Sequence, residues 1–277
     1  MSGGALRVLQ WQMTVPEQPE RALDSAAEAC RRARELGASL VTLPEMFCCP
    51  YDTANFPRYA QPEGGRIDRA CAALAREYGV WLSAGSVPEL GGDGRVYNTA
   101  KVFDPAGNLA AKHRKMHLFD IDVPGGQVFR ESDALSAGDS VTVFDTPFGR
   151  MGLCVCYDFR FPELGRLMAL RGASVLLVPA AFNLTTGPKH WTLMFRAQAM
   201  FNQCFALGTS PARDMAASYH AYGHSIAVDP WGAVLAELDA GQDFQLVTLD
   251  LAEVERVRAQ IPLLRHRRTD VYSLTER

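Results

Sequence analysis

With 277 residues, 48% hydrophobic and 21% charged, the chain is long enough to bury a large core and has an ordinary globular composition, neither disordered nor fibrous. A net charge of −3 without a basic block argues against nucleic acid as a partner, and no apolar run approaches the ~20 residues of a membrane span. Seven cysteines, an odd number spread through a core-forming chain, read as the reduced thiols of a cytoplasmic protein and not as a disulfide framework.

Residues 1–5, Met-Ser-Gly-Gly-Ala, read as a loose, disordered tail that lacks the basic and apolar regions of a signal peptide, and one domain is expected over 6–277. Leu6 to Met13 alternates as a core strand. Pro19 opens an amphipathic helix rich in Ala, Glu and Arg, and Gly37 stops it. The strand 39–43 delivers Pro44 and Glu45. Residues 46–65, with prolines 50, 57 and 62 and the pair Gly64-Gly65, read as a long irregular loop, which in a compact domain is usually functional.

Helix 66–78 leads into strand 80–85, and Gly-Gly-Asp-Gly at 91–94 turns the chain into a hairpin of strands 96–104 and 109–112. The basic run Lys112-His113-Arg114-Lys115 follows. Strand alternation there points 113 and 115 to one face, 112 and 114 to the other. A glycine-bearing loop, 120–139, precedes strands near 141–145 and 150–155. Helix 162–171, strand 174–178, helix 188–203 and strand 204–208 come next. Strands near 222–228, 233–237 and 244–250 and a helix over 251–260 close the chain. Strands alternate with helices, without a glycine-rich dinucleotide fingerprint or a low-complexity linker, so the class is α/β in a single domain.

The chemistry concentrates around residues 149–163. Cys156 sits where an apolar strand ends and turns toward a helix opened by Pro162, a place that exposes a nucleophile and offers N–H groups to an oxyanion. A thiol of ordinary pKa, near ~8.5, is only a few per cent thiolate at neutral pH and needs a base or a cation. Glu45, between bulky apolar neighbours, stands where burial raises a carboxyl toward neutrality, and Lys115 offers an ammonium. All three follow strands, and parallel α/β sheets gather strand ends at one edge.

Other constellations carry less. Cys154 and Cys156 face opposite sides of a strand, and Cys48-Cys49 is a vicinal pair without an evident role. His113-x3-His117 lacks both a carboxylate and a helix to complete a metal site, and a papain-like cysteine context is absent. Neither metal nor cofactor is expected.

The segments LPEMF at Glu45, HRKMHLFDIDVPGG at Lys115, FRES at Glu131 and CYDFRFPEL at Cys156 together resemble the nitrilase (carbon–nitrogen hydrolase) superfamily, from Arg7 to about Asp270. The resemblance implies an α-β-β-α sandwich that pairs through helices into an α-β-β-α:α-β-β-α homodimer. It also implies a Glu45–Lys115–Cys156 triad, with Lys115 favouring the thiolate and holding the oxyanion together with the Tyr157 N–H. Glu131 is either a loop carboxylate or, as the resemblance has it, a second glutamate that orients the lysine. Arg160 reads equally as a partner of Asp158 or Glu163 and as a fork for a substrate carboxylate. The helix after Cys156, with Leu164, Leu167, Met168 and Leu170, is a candidate dimer contact.

Three further segments, 118–124, 179–191 and 209–214, resemble the omega-amidase branch. That implies a small-molecule amide substrate: the terminal amide of 2-oxoglutaramate or 2-oxosuccinamate, hydrolysed through a cysteinyl thioester. Phe182 and Thr186 then line the pocket, joined by Tyr51 or Tyr59. A sister group that hydrolyses deaminated glutathione shares the triad, and a non-catalytic binding member is disfavoured by the four intact positions.

Overall fold

The computed structural model describes residues 4–276. Most of the expected tail, residues 1–3, lies outside the described residues; Ala5 already pairs with Asp250. In chain order the elements are β1 (Ala5–Gln12), α1 (Pro19–Leu36), β2 (Leu40–Thr42), α2 (Phe56–Tyr59), β3 (Gln61–Pro62), α3 (Arg66–Tyr78), β4 (Trp81–Leu90), β5 (Val96–Phe103) and β6 (Leu109–Arg114). There follow β7 (Asp120–Asp122), β8 (Val128–Arg130), β9 (Thr142–Thr146), β10 (Gly149–Leu153), α4 (Pro162–Leu170), β11 (Val175–Pro179) and α5 (Gly187–Asn202). The last are β12 (Phe205–Thr209), β13 (Ile226–Val228), β14 (Val234–Glu237), β15 (Asp243–Asp250) and α6 (Ala252–Gln260).

Two sheets form the centre. One runs β15-β1-β2-β4-β5-β6, with β3 beside β4; the other runs β14-β13-β12-β11-β10-β9. Side-chain alternation in β1 shows why they stack. Leu6 and Val8 join the core shared with Leu153, Val155 and Leu177 of the second sheet, while Leu9 and Trp11 face Ala22, Ala26 and Ala33 of α1. With both faces covered, β1 is apolar on both, as a central strand must be. Gln10 and Gln12 are the buried polar exceptions; the Gln10 amide donates to the Gly208 and Ile226 carbonyls at 3.0 and 3.2 Å, which ties one sheet to the other. Helices α1 and α3 cover the first sheet, α4 and α5 the second, giving the four layers.

Two expectations need correction. The sheets are mixed rather than parallel: β9, β13, β14 and β15 each pair antiparallel with a neighbour. The loop 46–65 holds α2 and β3, and the loop 120–139 holds the two-stranded β7–β8 hairpin and a single 3₁₀ turn at Glu131–Asp133. On α4, Leu164 and Met168 are buried against the second sheet, while Leu167 is half-buried and Leu170 exposed. No helix among the described residues is long and apolar enough to cross a membrane.

Candidate active site

Glu45 leaves the end of β2 through a tightly held turn. Gly85, at φ +56, packs so closely beneath it that a Cβ there would lie 2.0 Å from the Pro44 carbonyl oxygen, so only glycine fits. Met46, also left-handed at φ +52, donates its N–H to Ser86 Oγ at 3.0 Å. The carboxylate is completely buried. Its Oε1 accepts from Asn98 Nδ2 (2.8 Å), Lys115 Nζ (3.0 Å) and the Tyr51 hydroxyl (3.1 Å), and its Oε2 from the Ala181 N–H (2.7 Å).

The strand register separates the basic run as alternation requires. Lys112 and Arg114 turn outward to Glu89, at 3.0 and 2.7 Å, while His113 and Lys115 are buried inside. Gly138 lies against this strand end, where a Cβ would come 2.2 Å from the Arg114 carbonyl oxygen, and its N–H donates to the Lys115 carbonyl at 2.8 Å. Lys115 Nζ sits between Glu45 (3.0 Å) and Glu131 (2.9 Å). Burial works to lower its pKa, yet Glu131 and then Glu45 outweigh burial and hold it above the ordinary value.

Glu131, in the 3₁₀ turn, accepts from the Phe119 N–H at 2.6 Å and from the Tyr51 hydroxyl. Burial raises its pKa, the attraction of Lys115 opposes this, and Glu45 adds to the rise. Tyr51, expected at the pocket wall, borders a cavity and its hydroxyl also reaches both glutamates; burial together with those carboxylates pushes the phenol well above its usual range.

Cys156 opens a single 3₁₀ turn (Cys156–Arg160) after β10, at φ +48, a conformation that costs a non-glycine residue roughly 1–2 kcal/mol. The N–H groups at the start of such a turn, Tyr157's among them, lack partners within it. The strained elbow brings Cys156 under the influence of Glu45 and Lys115, while both it and Cys154 are buried. Burial, and then Glu45, raise the thiol pKa well above its ordinary value, with Lys115 opposing. Lys115 thus acts in the expected direction, toward the thiolate, but burial and Glu45 outweigh it.

A small cavity at Cys156 is lined by Phe119, Tyr157, Arg160, Ala181, Phe182 and Thr186. Among the described residues Arg160 has no carboxylate partner: Asp158 is taken by His113 and His117, and Glu163 is not within ion-pair distance. Its guanidinium lies 4.4 Å over the Phe182 ring, Nη1 meets His190 Nδ1 at 2.9 Å, and Nε is buried without a partner. Burial lowers its pKa, the mark of a cation lacking a counter-charge. The Thr186 hydroxyl is bonded to Asn183 Oδ1 at 3.0 Å. Tyr59 stands apart, bonded to the Glu17 carbonyl, and borders a second cavity of about 600 Å³ that reaches Glu45, Tyr51, Ala181 and Tyr219.

Sequence reasoning missed Asn98, the Ala181 N–H, Tyr219 and Asp158. Only Asp158 carried a signal, as a short acidic residue two positions after the cysteine with two histidines flanking Lys115. The others are joined to the site by long-range contacts that leave no local pattern.

The carbon–nitrogen hydrolase family matches residues 5–259. The chain is similar to omega-amidase NIT2 of Mus musculus, with 47% identity over 254 residues, 91% of this chain and 92% of that protein. Nit3 of Saccharomyces cerevisiae, a member of branch 10 of the nitrilase superfamily, has a TM-score of 0.88 at 38% identity, over 95% of this chain and 97% of its own. An amidase from Nesterenkonia sp. AN1 is 27% identical with a TM-score of 0.78, over 96% and 98% of the two chains; its structure is of a mutant with acrylamide added to the active-site cysteine.

Proposed function

We propose, from the premise that the chain belongs to the carbon–nitrogen hydrolase family and is an amidase of the nitrilase superfamily, that it hydrolyses the terminal amide of short 2-oxo dicarboxylic acid monoamides. The substrates are 2-oxoglutaramate and 2-oxosuccinamate, and the products are the dicarboxylate and ammonia. The observation that carries this reading is Arg160, a cation without a carboxylate partner on the cavity that holds Cys156. A guanidinium fork there binds the carboxylate of a small acid and sets its far amide at the thiol, so that attack becomes effectively unimolecular.

Glu45 takes the Cys156 proton as sulfur attacks the amide carbon. The oxyanion forms against the Lys115 ammonium and the Tyr157 N–H. Glu45 returns the proton to nitrogen, ammonia leaves, and a thioester remains. Water then gives a proton to Glu45 and its oxygen to the acyl carbon, and the thiol is restored when the carboxylate is released. Glu131 and Tyr51 hold Lys115 and Glu45 in place throughout.

The test is ammonia release from 2-oxoglutaramate, deaminated glutathione, glutamine, a simple aliphatic amide and a nitrile. The expected order puts 2-oxoglutaramate first. Deaminated glutathione is the second reading, favoured by the roughly 600 Å³ cavity beside Glu45, where a leaving amine larger than ammonia has room. A kcat/KM at least tenfold higher for it, worth only ~1.4 kcal/mol at the transition state, moves the chain to that activity. Arg160→Lys is expected to raise KM for the oxo acid ~10-fold or more and leave a neutral amide nearly unaffected, because lysine lacks the planar fork. Equal effects on both substrates would remove Arg160 from carboxylate binding.

The same reading makes the protein a cytoplasmic homodimer. Its seven free cysteines suit a reducing compartment. The partner face proposed is formed by α4 and α5, where Leu170 is 38%, Leu193 69% and Phe201 50% exposed. Light scattering is expected to give twice the 30.4 kDa chain mass, and Leu193→Asp with Phe201→Asp to halve it. A wild-type monomer at micromolar concentration rejects the pairing.

A further inference from the structure

We infer that Asp158 is a positioning residue, a single buried carboxylate that sets the Cys156 turn against the end of the Lys115 strand. Its Oδ2 accepts from the Val155 N–H (3.1 Å) and His113 Nε2 (2.9 Å). Its Oδ1 accepts from the Met116 N–H (3.1 Å), the His117 N–H (2.8 Å) and His117 Nδ1 (2.8 Å). Val155 immediately precedes Cys156, and Met116 immediately follows Lys115. One side chain therefore grips both chain segments next to the residues whose relative placement matters. The inference rests on the reading of Cys156 as nucleophile.

The clamp is itself braced. His113 shares the inner face of β6 with Lys115, and its Nδ1 lies 3.0 Å from Thr142 Oγ1 on β9. The His117 ring stacks on Phe161, with centroids 3.7 Å apart and planes 13° from parallel. Burial alone raises a carboxyl pKa, but the hydrogen bonds from His113 and His117 more than offset it and hold Asp158 well below the usual range. The group is thus a charged acceptor for all five donors, and none of its contacts reaches the cavity where substrate sits. Such a carboxylate influences chemistry only through geometry, and a misplacement of about 1 Å in a catalytic constellation costs ~10²-fold in rate.

The test is Asp158→Asn, isosteric but with one acceptor oxygen in place of two and an amide facing donors. The expected result is a kcat loss of ~10²-fold with KM within about threefold of wild type, and a parallel slowing of Cys156 alkylation by iodoacetamide. Leu9→Ala, in the core on the far side of the first sheet, serves as the stability control: it should lower the melting temperature and keep kcat. If Asp158→Asn loses no more kcat than this control, Asp158 is merely structural and the inference is overturned. Should the variant not fold, His117→Phe replaces it, since it keeps the stack on Phe161 and deletes one donor; an unchanged kcat there also overturns the inference. A wild-type protein without turnover or a Cys156 adduct would count instead against the nucleophile reading.

Discussion

Cys156→Ala is expected to lower amide turnover by at least ~10⁴-fold while the protein stays folded, because the covalent route ends with the thiol and only binding and oxyanion stabilisation remain. Alanine at φ +48 bears the same backbone strain as cysteine, so the elbow survives and only the sulfur is lost. Acid-quenched wild type should show an acyl adduct on Cys156 by mass spectrometry, and the alanine variant none. Full turnover by a folded Cys156→Ala protein ends the thioester scheme. The thiol environment adds a pH signature. Its folded pKa is raised above the unfolded value, so its contribution to stability is complete below the unfolded pKa, near ~8.5, and is lost as pH rises through the folded one. Alkylation of Cys156 should therefore stay slow through neutrality and accelerate in the alkaline range. An inflection below pH 7 would mean a standing thiolate and would leave Glu45 without a proton to take.

Lys115→Ala carries the second large effect, on rate and on stability together. Removing one oxyanion donor costs ~10²–10³ in kcat. It also leaves Glu45 and Glu131 facing one another in a site with no exposed side-chain surface, and deleting one member of a buried ion pair destabilises by about 3–5 kcal/mol. Glu131 can then respond by taking up a proton. Glu131 is already raised in the intact site, so the stability of the variant should be better preserved below the unfolded carboxyl pKa and fall as pH rises. Wild type behaves otherwise: Lys115 itself is raised, so its contribution holds below the unfolded lysine pKa and fades only in strong alkali. Denaturant melts at pH 5 and pH 8 measure the difference. A variant keeping more than a tenth of wild-type kcat, or equally destabilised at both pH values, would remove Lys115 from the centre of the site.

Much of the architecture was legible in the chain because it depends on local rules. Proline at the start and glycine at the end bounded α1, and Gly37 does take the left-handed conformation, with its N–H on the Ala33 and Arg34 carbonyls. Helix α3, Arg66–Tyr78, runs over the expected residues and ends at Gly79 in the left-handed conformation. Alternation placed His113 and Lys115 on one face and Lys112 and Arg114 on the other, since a strand admits two faces and no more; the structure shows the first pair buried.

What resisted reading was whatever depends on chain segments far apart. The Ala181 N–H that holds Glu45 is 136 residues away, and Asp158 reaches 45 residues back to His113. Neither contact has a period or a spacing. The apolar face of α4 was visible, but whether another layer covers it is decided by packing, and Met168 is buried against the second sheet. The pKa balance at Cys156 followed the same division: residue types at strand ends announced a thiol, an ammonium and a carboxylate. Only the depth of burial, and the pairing of Lys115 with two glutamates, set the direction in which that thiol is shifted.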